Sequence, residues 1–477
     1  MADFDVQKFK EIYEREVVKL MRDSKVPGLS VLITKKGKTI YERNFGSREW
    51  TGTKPTTSDT LYGIASMTKS MTSTAILMLQ EQGKLDIKDP ISKYIPVSIG
   101  IENIPIRVED LMCHGSGLPN LASYSAVIKN EELTPFNIPN LPMGNWDDFY
   151  FHVNDAQDWL FVKPREKFYY NNDGYTMLSQ IIAKVSGTSY EEFMEKQLFQ
   201  PLGMNRSTFD RDKLEKDSDV SKGYSTEPDE KGLKRKPKPH LSSIFNSGAG
   251  GLNSSTREMT KYIQFHLNQG RVNGKQLIAQ ELIEEMHKAQ NSIDKSENYL
   301  VVDETQNYGY GFGIIENFHG VKVIIHGGAS GVSGGVVLFI PELEITYTHL
   351  YNVGWLSGHI TYMALLALIG KDPEDLPFLK RRKHFKKLQG SYMAYRKNME
   401  VKVIQKAGLL YIESDIIEKT SEPLIPVDPK DPCPTNFYSY NPFGRQLIQF
   451  YDSDNDNIRF DYERNIFKKI DYKPELE

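Results

Sequence analysis

The chain has 477 residues, 39% of them hydrophobic and 26% charged, with a net charge of -4. That length exceeds one ordinary core and predicts two or three domains of a soluble globular protein. The slight acidity gives no electrostatic basis for nucleic-acid binding. Two cysteines cannot build a disulfide framework, and the ten histidines show no ligand spacing, so neither a metal nor another cofactor is expected.

The N-terminal residues mix acids and bases without an apolar run, so no signal peptide is expected. MALLALIG (Met363 to Gly370) is the longest apolar stretch and is far short of a bilayer span, which makes no membrane contact and a cytoplasmic location the default expectation. Phe9, Ile12, Tyr13, Val17 and Leu20 recur at helical spacing. PGLSVLITKKGKTIYERNFG then predicts two strands joined by a KKGK turn, and Gly63 to Gly83 predicts a buried helix closed by Gly83. From about Asp86 to Gly251, helical patterns such as Tyr190 to Leu198 alternate with long loops. The basic run KRKPKPH (Lys234 to His240) reads there as an extended, solvated loop. STREMTKYIQFHLNQG predicts a helix, YGYGFGIIE, VKVIIHGG, GGVVLFIPE and ITYTHLYN predict strands, and HITYMALLALIG predicts a closing helix. KDPEDLP (Lys371 to Pro377) reads as a linker. Short alternating strands follow at MEVKVIQ, LLYIES, RQLIQFYD and NIRFDYER, the pattern of a small antiparallel barrel. The resulting domains are 1–370, a linker at 371–380, and a C-terminal barrel at 381–477.

Lys69 is the only charged residue between Gly63 and Glu81, and five hydroxyls (Ser66, Thr68, Ser70, Thr72, Ser73) stand within four residues of it. On a helix Lys69 shares a face with Ser66 and Ser73, and the tilt of helical side chains toward the N-terminus aims it at Ser66. Ser66 would also stand near the helix start, where unpaired N–H groups stabilise a developing anion. Burial disfavours the ammonium form, which suits Lys69 to act as a base toward serine. S-x-x-K occurs again at Ser292 to Lys295, in the polar run QNSIDKSEN, where a loop is expected.

Two further stretches complete a pattern: FYYNNDGY (Phe168 to Tyr175) and IIHGGASG (Ile324 to Gly331), the latter a strand running into glycines that lets a substrate backbone lie alongside. With S-x-x-K they resemble the three elements of the serine β-lactamase and penicillin-binding protein superfamily, S-x-x-K, Y-x-N and K-T-G or H-x-G. LMCHGSGLPN, PLGMNRSTF and GAGGLNSSTREM fit the same family pattern in order, over roughly residues 5 to 370. The subgroup most resembled contains class C β-lactamases, D,D-peptidases, D-aminopeptidases and related esterases. The resemblance implies an α/β fold, with an antiparallel sheet flanked by helices plus a helical insertion. It makes Ser66 the nucleophile and Lys69 its base. Tyr169-Tyr170-Asn171 and Tyr170-Asn171-Asn172 both spell Y-x-N, and the family frame F-x-Y-x-N-x-G-Y selects Tyr170 and Asn172. Tyr170 would serve as general base and later acid, a phenol near two cations being held partly ionised. Asn172 would bond Lys69 and the substrate amide. His326, Gly327 and Gly328 take the K-T-G position, and the backbone N–H groups of Ser66 and Ala329 would form the oxyanion hole, where single donors are worth roughly 3 kcal/mol. Asn171 stands for a small hydroxyl residue, a change expected to matter little. His326 stands for a lysine that faces substrate carboxylates, which disfavours β-lactams and favours esters or peptides. His114 and Tyr169 read as a structural hydrogen-bonder and a packing aromatic.

Gly331 to Gly335 also spells G-x-S-x-G, the nucleophile elbow of another hydrolase fold. That elbow needs a helix after the serine, and a strand pattern follows Ser333 instead. LQGSY (Leu388 to Tyr392) resembles the start of lipocalin-like domains fused to members of this family, and such a barrel leaves a homo-oligomer open. The expected activity is acyl transfer to water through Ser66, on small peptides or amino-acid derivatives. A carboxylesterase or weak β-lactamase is the alternative, and a non-catalytic binding or scaffold protein is a further one.

Overall fold

Helix α1 (Val6–Asp23) buries Phe9, Tyr13 and Val17, the stripe its spacing predicts. The computed structural model describes residues 6–121, 123, 143–229, 232–241, 243–293, 306–354, 358–406, 408–414, 420–441, 444–453, 457–462 and 464–470. Two units result, one of residues 14–358 and one of residues 1–13 with 359–477.

In the first unit, β1 (Gly28–Lys35) and β2 (Lys38–Gly46) form the predicted hairpin, with Lys36 and Gly37 both at positive φ in its turn. They join an eight-stranded sheet that is antiparallel throughout. Its other strands are β3 (Asn291–Ser292), β4 (Gln306–Tyr308), β5 (Gly313–Phe318), β6 (Val321–Ala329), β7 (Gly334–Ile340) and β8 (Ile345–Tyr351), in the order β3-β4-β5-β6-β7-β8-β1-β2. Helix α2 (Thr68–Glu81) is buried from Thr68 to Leu79 and ends at the left-handed Gly83. Helix α3 (Asn172–Ser186) lies against it and ends at the left-handed Gly187, and α4 (Thr256–Leu267) covers β1, β7 and β8. Ser292 lies on β3, and Lys295 falls outside the described residues.

Two expectations are corrected. KRKPKPH is not an unpaired loop: its lysines lie on strand Gly232–Lys238, paired with Gly223–Asp229 in a two-stranded ribbon. Each strand of such a ribbon keeps a free edge, where prolines cost no ladder bond. YGYGFGIIE is not one strand either. It breaks between β4 and β5 at Gly311, which has φ 83° and would set a Cβ 2.8 Å from the Ser70 Cα of α2.

In the second unit, residues 371–380 contain a 3₁₀ turn (Pro373–Asp375) and the start of a helix, so the stretch read as a linker carries its own structure. The helices are α5 (His359–Leu368) and α6 (Pro377–Leu388). Eight strands then close a barrel: β9 (Gly390–Met393), β10 (Glu400–Lys406), β11 (Leu409–Ser414), β12 (Thr420–Pro426), β13 (Asn436–Asn441), β14 (Gly444–Ser453), β15 (Asn457–Tyr462) and β16 (Asn465–Lys469). Leu410, Ile412, Leu424, Phe437, Ile448 and Phe460 fill it, with Phe385 and Leu388 of α6 in the same cluster. No helix among the described residues is long and apolar enough to cross a membrane.

Gly311→Ala should therefore cost about 2 kcal/mol or more, from left-handed strain plus the clash with α2. Gly83→Ala, at φ 68° with open space around the added Cβ, should cost only about 1 kcal/mol. Denaturant midpoints of the two variants check the difference.

Candidate active site

Ser66 sits in the middle of a 3₁₀ turn (Ala65–Met67) that feeds directly into α2, and it is half-buried while the residues on either side are buried. Ala65 before it has φ 48°, an uncommon conformation for a residue with a side chain. The Thr68 hydroxyl holds it by donating to the Ala65 carbonyl at 2.7 Å.

Lys69 is fully buried. Its Nζ stands 2.7 Å from Asn172 Oδ1, 2.7 Å from the Ala249 carbonyl and 3.2 Å from Ser66 Oγ. Burial pushes the amine well below its ordinary range, and the nearby Asp173 opposes that. A neutral amine has two N–H donors and one lone pair. The two short contacts are to carbonyl oxygens, which only accept, so the lone pair is left for the Ser66 hydroxyl. The other four hydroxyls are committed elsewhere. Thr68 bonds Ala65, Ser70 donates to the Met67 carbonyl at 2.9 Å, Thr72 donates to the Gly248 carbonyl at 2.7 Å, and Ser73 contacts the Tyr175 phenol at 3.2 Å.

The Y-x-N ambiguity resolves by geometry. Asn172 faces Lys69, whereas Asn171 is buried and caps α3, its Oδ1 accepting from the Gly174 N–H at 3.2 Å. Asn171 Nδ2 donates to the Leu118 and Pro119 carbonyls at 3.0 and 2.8 Å, and its N–H donates to His114 Nδ1 at 3.0 Å. A small hydroxyl could not make that set, so the expectation that this position matters little is corrected. His114 is a buried hydrogen-bonder as expected, and its ring lies 4.3 Å from that of Tyr170. The Tyr170 ring in turn lies 4.9 Å from Lys69 Nζ.

His326 is buried, and both its ring nitrogens have protein partners. Nδ1 is 2.6 Å from the Gly327 carbonyl and must donate to it, so Nε2 accepts from the Tyr308 hydroxyl at 2.8 Å. Burial, with Lys69 nearby, drives the imidazole down to about 3. Burial thus disfavours charge on both Lys69 and His326, the basic groups on this side of the site.

Among the described residues, His326 to Ala329 on β6 pair with β7 only, since the ladder to β5 stops at Ile325. Beside Ser66 this edge of β6 thus has no strand partner among the described residues. Gly328 is required there: a Cβ would lie 2.2 Å from the Ile64 carbonyl and 3.0 Å from the Ser66 nitrogen. Gly327 is exposed and Ala329 half-buried. Ser333 is buried in the β6–β7 turn and donates to the Gly63 carbonyl at 2.9 Å, a bonded structural serine with a strand after it.

Sequence reasoning missed Ala249, Asp173 and Tyr308. Ala249 lies in a short helix (Ser247–Gly250) inside the motif GAGGLN, whose glycines admit close packing. A Cβ at Gly248 would meet the Tyr175 carbonyl at 2.6 Å, and one at Gly250 the Ala65 carbonyl carbon at 3.3 Å. Asp173 is buried one residue beyond Asn172, its carboxyl pushed up to about 6 by burial. Nothing in the sequence marks Tyr308. Among the described residues, no group of three or more His, Cys, Asp and Glu is placed to hold a metal ion.

The beta-lactamase family model matches residues 13–354, and the model described as the Pab87 octamerisation domain matches residues 373–468. The chain is 27% identical over 246 residues to Protein flp of Staphylococcus aureus (strain MW2), covering 51% of this chain and 46% of that protein. It is 30% identical over 186 residues to penicillin-binding protein 4* of Bacillus subtilis (strain 168), covering 37% of each. The chain thus spans about half or less of the length of these curated relatives. The solved structure of the octameric penicillin-binding protein homologue from Pyrococcus abyssi is similar over 96% of this chain and 99% of that chain, at 32% identity and a TM-score of 0.83.

If Lys69 offers its lone pair to Ser66, the rate of labelling by a fluorophosphonate should rise with pH and level off above the lysine's depressed pKa. It should fall as acid protonates the amine. Lys69→Arg, which stays charged, should lower the plateau by about 100-fold or more. A pH–rate profile of both proteins checks this.

Proposed function

The chain belongs to the beta-lactamase family, and from that premise we propose that it is a serine hydrolase acting through a covalent Ser66 acyl-enzyme on small peptides or amino-acid derivatives. The observation that carries the reading is the fully buried Lys69 amine with two carbonyl acceptors and Ser66 as its third neighbour, burial pushing its pKa down. Ser66 Oγ attacks the substrate carbonyl as its proton passes to Lys69, and the carbonyl electrons collect on oxygen. The backbone N–H groups of Ser66 and Ala329 receive that oxyanion. Collapse breaks the bond to the leaving group, which takes the proton from Lys69 by way of the Tyr170 hydroxyl. Water then attacks the acyl carbon with the proton path reversed, freeing acid and serine.

The edge of β6 beside Ser66 supports a peptide-like substrate, because an extended backbone can pair with His326 to Ala329 where β5 does not. His326, with both nitrogens engaged and no charge, supports substrates without a carboxylate at that point. A carboxylic ester would be accepted by the same chemistry, and efficient β-lactam hydrolysis is not expected. The unpaired thiols of Cys113 and Cys433 support a reducing, cytoplasmic setting. The octamerisation-domain match and the octameric homologue support a homo-oligomer of this chain.

Ser66→Ala should abolish fluorophosphonate labelling and turnover, whereas Ser333→Ala should keep the label at a stability cost of about 1–2 kcal/mol. Peptide mapping by mass spectrometry places the label, and labelling that survives Ser66→Ala would refute the mechanism. His326→Gln should lower kcat/KM on matched neutral and carboxylate-bearing substrates by the same factor. A selective loss on one of them would mean that position 326 reads substrate charge.

A further inference from the structure

Burying a carboxyl group is costly unless a cation or good hydrogen bonds meet it, and the first unit shows both remedies. Asp110 has the Arg165 guanidinium at 2.6 Å, and Glu49 has Lys54 at 3.2 Å and Lys222 at 3.0 Å. Glu258 accepts from the Arg206 N–H at 3.0 Å and from the Ser207 hydroxyl at 2.7 Å. Asp173 is more deeply buried than these, at 1% exposure, and among the described residues no cation touches it. Its carboxyl accepts from backbone only, from the Leu121 N–H at 3.3 Å and from its own N–H. It stands in the first turn of α3, one residue after Asn172, whose Oδ1 is 2.7 Å from Lys69 Nζ. The charged and titratable groups that act on it are Lys69 of α2 and His152 of helix Trp146–Asn154. His152 Nε2 lies 3.2 Å from the carbonyl of the same Leu121.

We propose that Asp173 is a positioning residue for acylation: its carboxylate, near Lys69 but not touching it, stabilises the ammonium that forms when Lys69 takes the Ser66 proton. The inference rests on the Ser66 acyl-enzyme reading above. Burial alone favours a neutral Lys69 but also weakens it as a base, because the charge it must accept is the one burial disfavours. A carboxylate in contact would go too far and hold a permanent ammonium, as an ion pair does. A carboxylate nearby and out of contact sets attraction against burial, and the two oppose one another at Lys69. In the step itself, Ser66 Oγ bonds the substrate carbonyl carbon, its proton moves to Lys69 Nζ, and the carbonyl π electrons move to oxygen. Asp173 gains and loses no proton, so its charge is in place before and after. Burial pushes that carboxyl up to about 6, so the support is present above this pH and lost below it. An acid in a first helical turn also favours the helix dipole. That role would move stability and leave the strength of the base alone.

The test is the rate of fluorophosphonate labelling of Ser66 against pH, on the full chain, for wild type and Asp173→Asn. Asparagine keeps the size and an acceptor for the Leu121 N–H, and it removes the charge. Wild-type labelling should fall about tenfold through a step near pH 6, in addition to the transition of Lys69 itself. Asp173→Asn should label about tenfold more slowly above about pH 7 and should lack that step. A folded variant with wild-type rates would overturn the proposal, and so would one that is uniformly slower but keeps the step. If the variant does not fold, NMR of the wild type still decides. The Asp173 carboxyl carbon and the Lys69 side-chain nitrogen should each report both transitions of a coupled pair. Two independent transitions, one for each group, would overturn the proposal. Labelling that survives Ser66→Ala is a different result, which would overturn the acyl-enzyme reading instead.

Discussion

One buried amine organises this site. Lys69 is enclosed on the first turn of a helix with no other charge on its buried length, and its surroundings favour the neutral form. The two carbonyl oxygens at 2.7 Å use both donors of that form, and Ser66 is what remains. Charge removal and hydrogen-bond accounting therefore point the same way. Neither would suffice alone: a buried lysine with three equal acceptors would hold its third proton, and an exposed one would stay charged.

The surrounding structure serves that arrangement by close backbone approach. The left-handed Ala65 sets the turn that carries Ser66 into α2, Gly328 brings β6 against the same turn, and Gly311 presses the β4–β5 link onto α2. Gly248 and Gly250 let the short helix with Ala249 wedge between Tyr175 and Ala65. Asn171 and His114 hold the segment that carries Tyr170 and Asn172, with one side chain and one imidazole replacing a regular ladder. Burial thus disfavours charge on Lys69 and His326 near Ser66, and among the described residues the edge of β6 beside it has no strand partner.

Much of this was legible in the sequence. An isolated lysine in an apolar helix is a local signal, and helical geometry alone chose Ser66 over Ser73. The sheet's longer strands were visible as short apolar runs between turn signals, while their antiparallel arrangement was what the family resemblance implied. Four of the eight barrel strands were legible from alternation; β9, β12, β13 and β16 were not, and in β12 Pro423 and Pro426 mask the pattern. KRKPKPH misled for the same reason, as proline reads as loop until a partner strand is known. Asp173, Ala249 and Tyr308 were beyond reach: Ala249 meets Lys69 across 180 residues of chain and Tyr308 meets His326 across 18, separations that no local spacing encodes. The burial of His326 was equally hidden, since H-G-G alone does not say which way an imidazole turns.

The most direct measurement is the ionisation state of Lys69 itself, read from its side-chain nitrogen by NMR across a pH titration and assigned with Lys69→Arg. The account predicts a neutral amine at pH values well below the ordinary lysine pKa of about 10.4, with the transition coinciding with the rise in Ser66 labelling. An ammonium signal that persists to about pH 10 while Ser66 is fully reactive would contradict it.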